Sequence, residues 1–166
     1  LIEAGGADTN PFIHIPAGFV KTMVNPSLNW MFTTAAEDYL GGRQLKIPRG
    51  KVLGGTSSIN GMLYVRGLAS DYDGWAQRGN PGWSFDEVLP YFHKSEDFQP
   101  QDTLGDEGYH STGGPMHIDQ PRTYYPALDR IMDAAEECGY PKNNDYNGAE
   151  QFGFGYLYSQ LWHFLL

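Results

Sequence analysis

Pro48-Arg49-Gly50-Lys51-Val52-Leu53-Gly54-Gly55-Thr56-Ser57-Ser58-Ile59-Asn60-Gly61-Met62 is the stretch on which the reading of this chain turns. Gly54 and Gly55 carry no Cβ, so the backbone bends sharply there and a ligand can lie against it. Thr56, Ser57 and Ser58 follow at once. Successive amides in such a loop form an anion-binding concavity. Arg49 and Lys51 bring positive charge to a chain whose formal net charge is −9. Together these groups suit a phosphate ester, and Asn60-Gly61 adds an amide beside another bare backbone position. The same residues equally suit an ordinary glycine-rich turn with solvated hydroxyls. Two familiar phosphate loops are excluded. Leu45 stands where a Walker A loop needs its first glycine, and no G-x-G-x-x-G occurs anywhere.

The chain has 166 residues, 40% of them apolar, which is one domain's worth and enough for a real core. No apolar run approaches the roughly 20 residues of a membrane-spanning helix. The acidic balance argues against nucleic acid or an anionic membrane as partner, because both require basic surface. A single cysteine, Cys138, excludes an internal disulfide and a thiolate zinc site. It is expected to be a small buried apolar residue. It also fits a reducing compartment, which makes the cytoplasm the expected location. The 14% aromatic content suits a cofactor cleft and a loop-rich core alike. Leu1-Ile2-Glu3 reads as the end of a buried strand, so the chain is expected to be a piece of a larger protein.

Leu1-Ile2-Glu3-Ala4-Gly5-Gly6 is apolar, then acidic, then a glycine turn. In dinucleotide-binding folds an acid at the end of the second strand bonds ribose hydroxyls. Alone, Glu3 also fits a solvated carboxylate. Residues 7–29 read as an irregular connection with one short helix near 18–23, and His14 as a hydrogen-bonded structural residue. Two β-prone runs, 30–34 and 43–47, flank Gly41-Gly42 and predict a hairpin feeding the glycine loop. Residues 59–64 are expected to open a helix whose first amides face the ligand. Ser70-x-x-Asp73 predicts a short helix carrying Trp75 and stopped by Gly79. Ser84-Phe85-Asp86-Glu87 is a capping box for a helix with Val88, Leu89 and Phe92 inward and Pro90 as a kink. Lys94-Ser95-Glu96-Asp97 reads as its solvated end.

Residues 99–114 read as a long surface loop. Its acids Asp102, Asp106 and Glu107 lack EF-hand spacing, so no metal is expected there. Met116-His117-Ile118-Asp119 predicts a strand. Pro126 opens a helix with Leu128, Ile131, Met132 and Ala135 inward, and Gly139 as its stop. Asp129, Asp133, Glu136 and Glu137 are read as its solvated face, and residues 143–148 as a turn cluster.

The glycine stretch, continued through Tyr64-Val65-Arg66-Gly67 and Asp71-Tyr72-Asp73-Gly74-Trp75, resembles the first signature of the glucose–methanol–choline oxidoreductases, which are FAD-dependent alcohol oxidases and dehydrogenases. The likeness takes in Leu1-Ile2-Glu3-Ala4-Gly5-Gly6, Gly82-Trp83, Leu89-Pro90-Tyr91-Phe92, Tyr109-His110, Gly113-Gly114-Pro115 and Gly153-Phe154-Gly155. It therefore covers residues 1 to about 156, and the choline dehydrogenase-like branch shares it best. The end departs from the pattern: Leu161-Trp162-His163-Phe164-Leu165-Leu166 reads as a truncation or altered reading frame, and as a sticky surface if exposed.

The resemblance implies an α/β fold, in this fragment α+β: part of an FAD/NAD(P)-binding Rossmann-like fold with long loops. Residues 1–80 would be a partial FAD-binding domain, and 81–166 a helical and loop extension with the start of the substrate domain. The loop at 99–114 would lie near the substrate entrance. Glu3 would hold the adenosine ribose. Lys51, Val52, Gly54, Gly55, Thr56 and Ser58 would line the pyrophosphate and ribityl path, mostly through backbone. Asn60, Gly61, Met62 and Val65 would approach the isoalloxazine.

Some relatives tether FAD through a histidine just before that Asn. Here Ile59 stands there, so the FAD is expected to be noncovalent. The donor would be a small-molecule alcohol, and the electron acceptor is left open. The family's proton-abstracting histidine matches none of His14, His93, His110, His117 or His163. No catalytic residue is therefore assigned, and the isolated fragment is expected to be inactive. Competing readings are a hydroxynitrile lyase-like or non-catalytic flavoprotein on the same scaffold, a carbohydrate- or peptide-binding module, and a generic α+β domain.

Overall fold

The structure, a computed structural model, describes residues 1–99, 105–106, 108–120 and 124–160. It forms two compact units, Leu1–Met62 and Leu63–Leu166. The anomalous stretch 161–166, with His163, lies outside the described residues, as do Asp102 and Glu107.

In the first unit, α1 (Pro11–His14) is capped by the Asn10 side chain, which accepts from Phe12 N. A 3-10 turn, Pro16–Gly18, leads into α2 (Phe19–Thr22), where the sequence predicts a short helix. His14 Nε2 bonds Asp8 O. β1 (Phe32–Thr33) pairs antiparallel with β2 (Lys46–Ile47), Phe32 opposite Ile47. The expected hairpin is present, and its turn passes through a 3-10 piece, Asp38–Leu40, before Gly41 and Gly42. The small core is Leu28, Val52 and Ile59, with Ile13 against it.

The second unit opens with β3 (Leu63–Tyr64), not the helix expected over 59–64. Alternation explains this: Tyr64 and Arg66 are buried, whereas Leu63 and Val65 are 60% and 54% exposed. β3 pairs antiparallel with β6 (Tyr158–Ser159). α3 (Ala69–Gln77) begins one residue before the expected Ser70 cap, with the Asp71 carboxylate accepting from Leu68 N. α4 (Phe85–Ser95) begins at the predicted box: the Ser84 amide and hydroxyl both donate to the Glu87 carboxylate. It runs through Pro90 as one element. The carbonyl Pro90 leaves without a donor belongs to Asp86, an exposed residue.

The charged run after α4 is not a solvated end. It becomes β4 (Glu96–Phe98), parallel to β5 (Met116–Ile118), with Glu96 fully buried. α5 (Pro126–Glu137) is rotated from its predicted orientation. Leu128 and Ile131 are 43% and 55% exposed, while Asp129 and Asp133 bond Tyr156 and Lys142. Cys138, at the C-cap of α5, is exposed rather than buried, because the helix turns that position outward. The core is Tyr64, Phe98, Ile118 and Tyr158, with Met116 against it. Among the described residues no helix is long and apolar enough to cross a membrane.

Candidate functional site

Leu1-Ile2-Glu3 forms no strand here, and Leu1 and Ile2 are fully exposed rather than buried, because no neighbouring element of this unit covers them; Gly5 and Gly6 lie directly against the glycine loop. Gly6 bridges Val52 in parallel, and Leu53 N donates to Gly6 O at 2.9 Å. A Cβ on Gly5 would fall 2.0 Å from Lys51 O, and one on Gly50 would fall 2.1 Å from Gly55 O. Only bare backbone allows these two approaches. The Glu3 carboxylate accepts from Gly5 N at 2.9 Å through Oε1 and is exposed beside this junction.

The loop itself closes as a 3-10 turn, Gly55–Ser58, entered through Gly54 at φ 93°. The first amides of such a turn have no acceptor within it. A Cβ on Gly55 would meet nothing within 4 Å, so that face of the turn is open. The three hydroxyls, although Thr56 and Ser57 are exposed, each bond the loop's own backbone. Ser57 Oγ donates to Gly54 O, Ser58 Oγ donates to Leu53 O, and Thr56 Oγ1 accepts from Gly50 N. They lock the loop, and Gly55 N, the first amide of the turn, donates to Val52 O at 2.7 Å. Val52 is fully buried, backbone included. The two cations are held locally: Lys51 Nζ stands 5.0 Å from the Trp30 ring centroid, and Arg49 Nη1 donates to Pro48 O.

Asn60 Oδ1 accepts from Met62 N, and Met62 takes φ 60°, a strained value for a residue with a side chain. Such strain clusters at binding sites. Gly61 has ordinary room, its nearest neighbour being Phe19 Cε2 at 3.9 Å from an added Cβ. Ile59 is 2% exposed, within the core. Trp30 and Phe32 stack at 5.8 Å, giving the first unit an exposed aromatic pair. Val65, the remaining expected contact, belongs to the second unit and is exposed.

The second unit holds a charged network that the sequence reading missed. Arg66 Nη2 donates to Glu96 Oε2 at 2.9 Å, with side chains 1% and 0% exposed. Glu96 Oε1 meets His110 Nδ1 at 3.1 Å, and His110 Nε2 meets Asp145 Oδ2 at 2.9 Å. The imidazole stacks on Phe98 with centroids 4.0 Å apart. Asn147 accepts from Arg66 N and donates to Tyr64 O, which seats the turn cluster against β3. Burial opposes charge on His110, but the hydrogen bonds and charges of Asp145 and Glu96 outweigh it and raise its pKa to about 9. Burial likewise opposes charge on Asp145, yet the His110 contact holds its pKa below the usual carboxylate value.

His110 is thus an imidazolium in a buried clamp, and the loop around it is tied down. Ser111 N donates to Glu96 Oε2, and Gly113 N to Asp97 Oδ1. No local sequence signal marks these partners. The alternation of Tyr64 and Arg66 along β3 is the one hint that Arg66 points inward.

The profile of the GMC oxidoreductases matches residues 1–161. The chain belongs to the GMC oxidoreductase family. This N-terminal domain of the family binds FAD, which agrees with the Rossmann-like region read from the sequence. The chain is 40% identical over 162 residues to an oxygen-dependent choline dehydrogenase of Sinorhizobium fredii, covering 98% of this chain and 29% of that protein. It is 44% identical over 155 residues to the enzyme of the same description from Brucella anthropi, covering 93% and 28%. Its fold superposes on pyridoxine 4-oxidase from Mesorbium loti with TM-score 0.87 at 32% identity, covering 98% of this chain and 31% of that one. An FAD-dependent oxidoreductase from Chaetomium thermophilum gives 0.82 at 30%, covering 96% and 28%. The GMC chain here is thus less than a third of the length of these relatives.

Proposed function

We propose that this chain is the coenzyme-holding segment of an FAD-dependent oxidoreductase that oxidises the CH–OH group of a small alcohol. The observation that carries the reading is the backbone-to-backbone seating of residues 5–6 on residues 51–53, which ties the segment that carries Glu3 to the segment that leads into the Gly55–Ser58 turn. Glu3 accepts the adenosine ribose hydroxyls, for which a carboxylate has spare lone pairs. Lys51, Gly54, Gly55, Thr56 and Ser58 offer backbone to the pyrophosphate and ribityl chain, with Val52 buried beneath them, while the hydroxyls of Thr56 and Ser58 hold the loop in shape. Asn60, Gly61 and Met62 stand toward the isoalloxazine. The bound FAD supplies the hydride acceptor; everything else here is positioning.

Proton removal from the alcohol is assigned to no residue of this chain. A general base must be free to take a proton at working pH. His110 is already protonated and gripped on both nitrogens. The FAD is held without a covalent bond, since Ile59 has no nucleophile and lies in the core.

Two measurements on purified protein test the reading. Acid precipitation of the full-length enzyme is expected to release all of the flavin, and colour retained in the pellet would refute noncovalent binding. The 166-residue chain with added FAD is expected to oxidise no alcohol; turnover by it would overturn the assignment of the base to another part of the enzyme.

A further inference from the structure

His110 takes part in no step of the proposed chemistry, yet both of its ring nitrogens are gripped. Nδ1 meets Glu96 Oε1 at 3.1 Å and Nε2 meets Asp145 Oδ2 at 2.9 Å, with the His110 side chain 8% exposed. A carboxylate only accepts, so each contact needs a proton on the ring. A neutral imidazole carries one N–H. It serves one carboxylate and turns a lone pair on the other.

The two carboxylates do not fare alike when the proton leaves. Glu96 keeps Arg66 Nη2 and the Ser111 amide on Oε2. Asp145 has its only ion pair among the described residues with His110, and what remains to it is the amides of Asp106 and Asn147. Its side chain is 6% exposed, and a buried carboxylate stripped of its cation is costly. No other group around the ring replaces that cation. Tyr158 of β6, edge-on to the imidazole at 5.9 Å, and Tyr64 of β3 are kept neutral, chiefly by burial. Asp106 adds a further negative charge, and His117 of β5 is bonded to Asp97 instead.

The Asp145 carboxylate is also where two segments join. It takes the Asp106 amide and the His110 ring from one side, while Ala149 N donates back to Asp106 Oδ2 at 2.8 Å. Tyr109 on the first segment and Asn147 and Gly148 on the second line one cavity of about 400 Å³, which lies wholly in the second unit.

We propose that His110 is a proton-held latch: protonated, it ties residues 108–111 to the Asn143–Gly148 turn through Asp145, and its deprotonation parts the two segments and opens the cavity that both line, while β3, β4 and β5 stay in place. Burial opposes charge on His110, but its two carboxylates outweigh it and hold its pKa at about 9, against an ordinary 6.5. Below about 6.5 opening releases no proton and the latch is fully closed. Between about 6.5 and 9 the open fraction rises by up to tenfold per pH unit, and above 9 it is constant.

Hydrogen–deuterium exchange of the full-length enzyme tests this, with labelling times scaled to the intrinsic rate at each pH. Protection of 108–111 and of 143–148 is expected to fall together, roughly thirtyfold or more between pH 6.5 and 9, while that of α4 and α5 holds. His110→Gln should show low protection of both segments at every pH. Asp145→Asn removes one of the two carboxylates that retain the proton, so its pH-dependent fall should be smaller and complete below pH 9. Protection of the two segments that is independent of pH in the wild type, an equal loss in α4 and α5, or an unaltered slope in His110→Gln would overturn the proposal. If His110→Gln does not fold, the wild-type profile and Asp145→Asn still decide it.

Discussion

Gly50 and Glu96 show what single positions do here. Gly50→Ala would drive a Cβ into Gly55 O, so the loop must shift; FAD affinity of the full-length enzyme is expected to fall roughly tenfold or more, read by flavin fluorescence titration. Glu96→Ala would leave the Arg66 guanidinium and the His110 imidazolium buried without their shared acceptor. That should cost roughly 3–5 kcal/mol in denaturant unfolding of the same protein. His110 gives stability a pH dependence of definite sign. Its folded pKa, about 9, stands above the ordinary 6.5. The stabilisation is therefore full below about 6.5 and is lost as pH rises through 9, by roughly 2–3 kcal/mol once solvent screening is allowed for. Melting temperature should fall across that interval, and His110→Gln should flatten the fall; an equal slope in the variant would contradict the clamp. The sharp bend at Gly54 and Gly55 was readable because turn chemistry is local. Glu96 was not, because its charge is met by groups 30 and 14 residues away in a run that otherwise resembles a solvated helix end.

At the scale of elements, local chemistry sets where helices begin, and packing sets how they lie. The Ser84–Glu87 pair starts α4 where the capping box places it, and Ser84→Ala should lower stability by roughly 1 kcal/mol, measured by thermal unfolding. Gly79 and Gly139 follow the ends of α3 and α5 in the left-handed conformation, as their positions suggest. Periodicity alone misjudged α5, whose apolar stripe competes with an acidic stripe that finds Tyr156 and Lys142. Residues 59–64 were misread for a related reason. A hydrophobic run too short to separate period 2 from period 3.6 became β3, whose pairing with β6 is almost 100 residues away in sequence.

On the scale of the whole molecule, the chain accounts for 28–29% of the length of its choline dehydrogenase relatives. Leu1 and Ile2 are fully exposed, and Phe32, Val20 and Leu45 are among the large apolar side chains exposed in the first unit. The 166-residue chain by itself is expected to self-associate and to bind an apolar dye, as read by sedimentation velocity and dye fluorescence. The account rests on one claim, that Glu3 and the Gly55–Ser58 turn grip the two ends of one dinucleotide. The direct measurement is titration of the full-length apoenzyme and its Glu3→Gln variant with FAD and with FMN, which lacks the adenosine. FAD affinity should drop roughly tenfold in the variant while FMN affinity holds. Unchanged FAD binding, or an equal loss for both flavins, would contradict it.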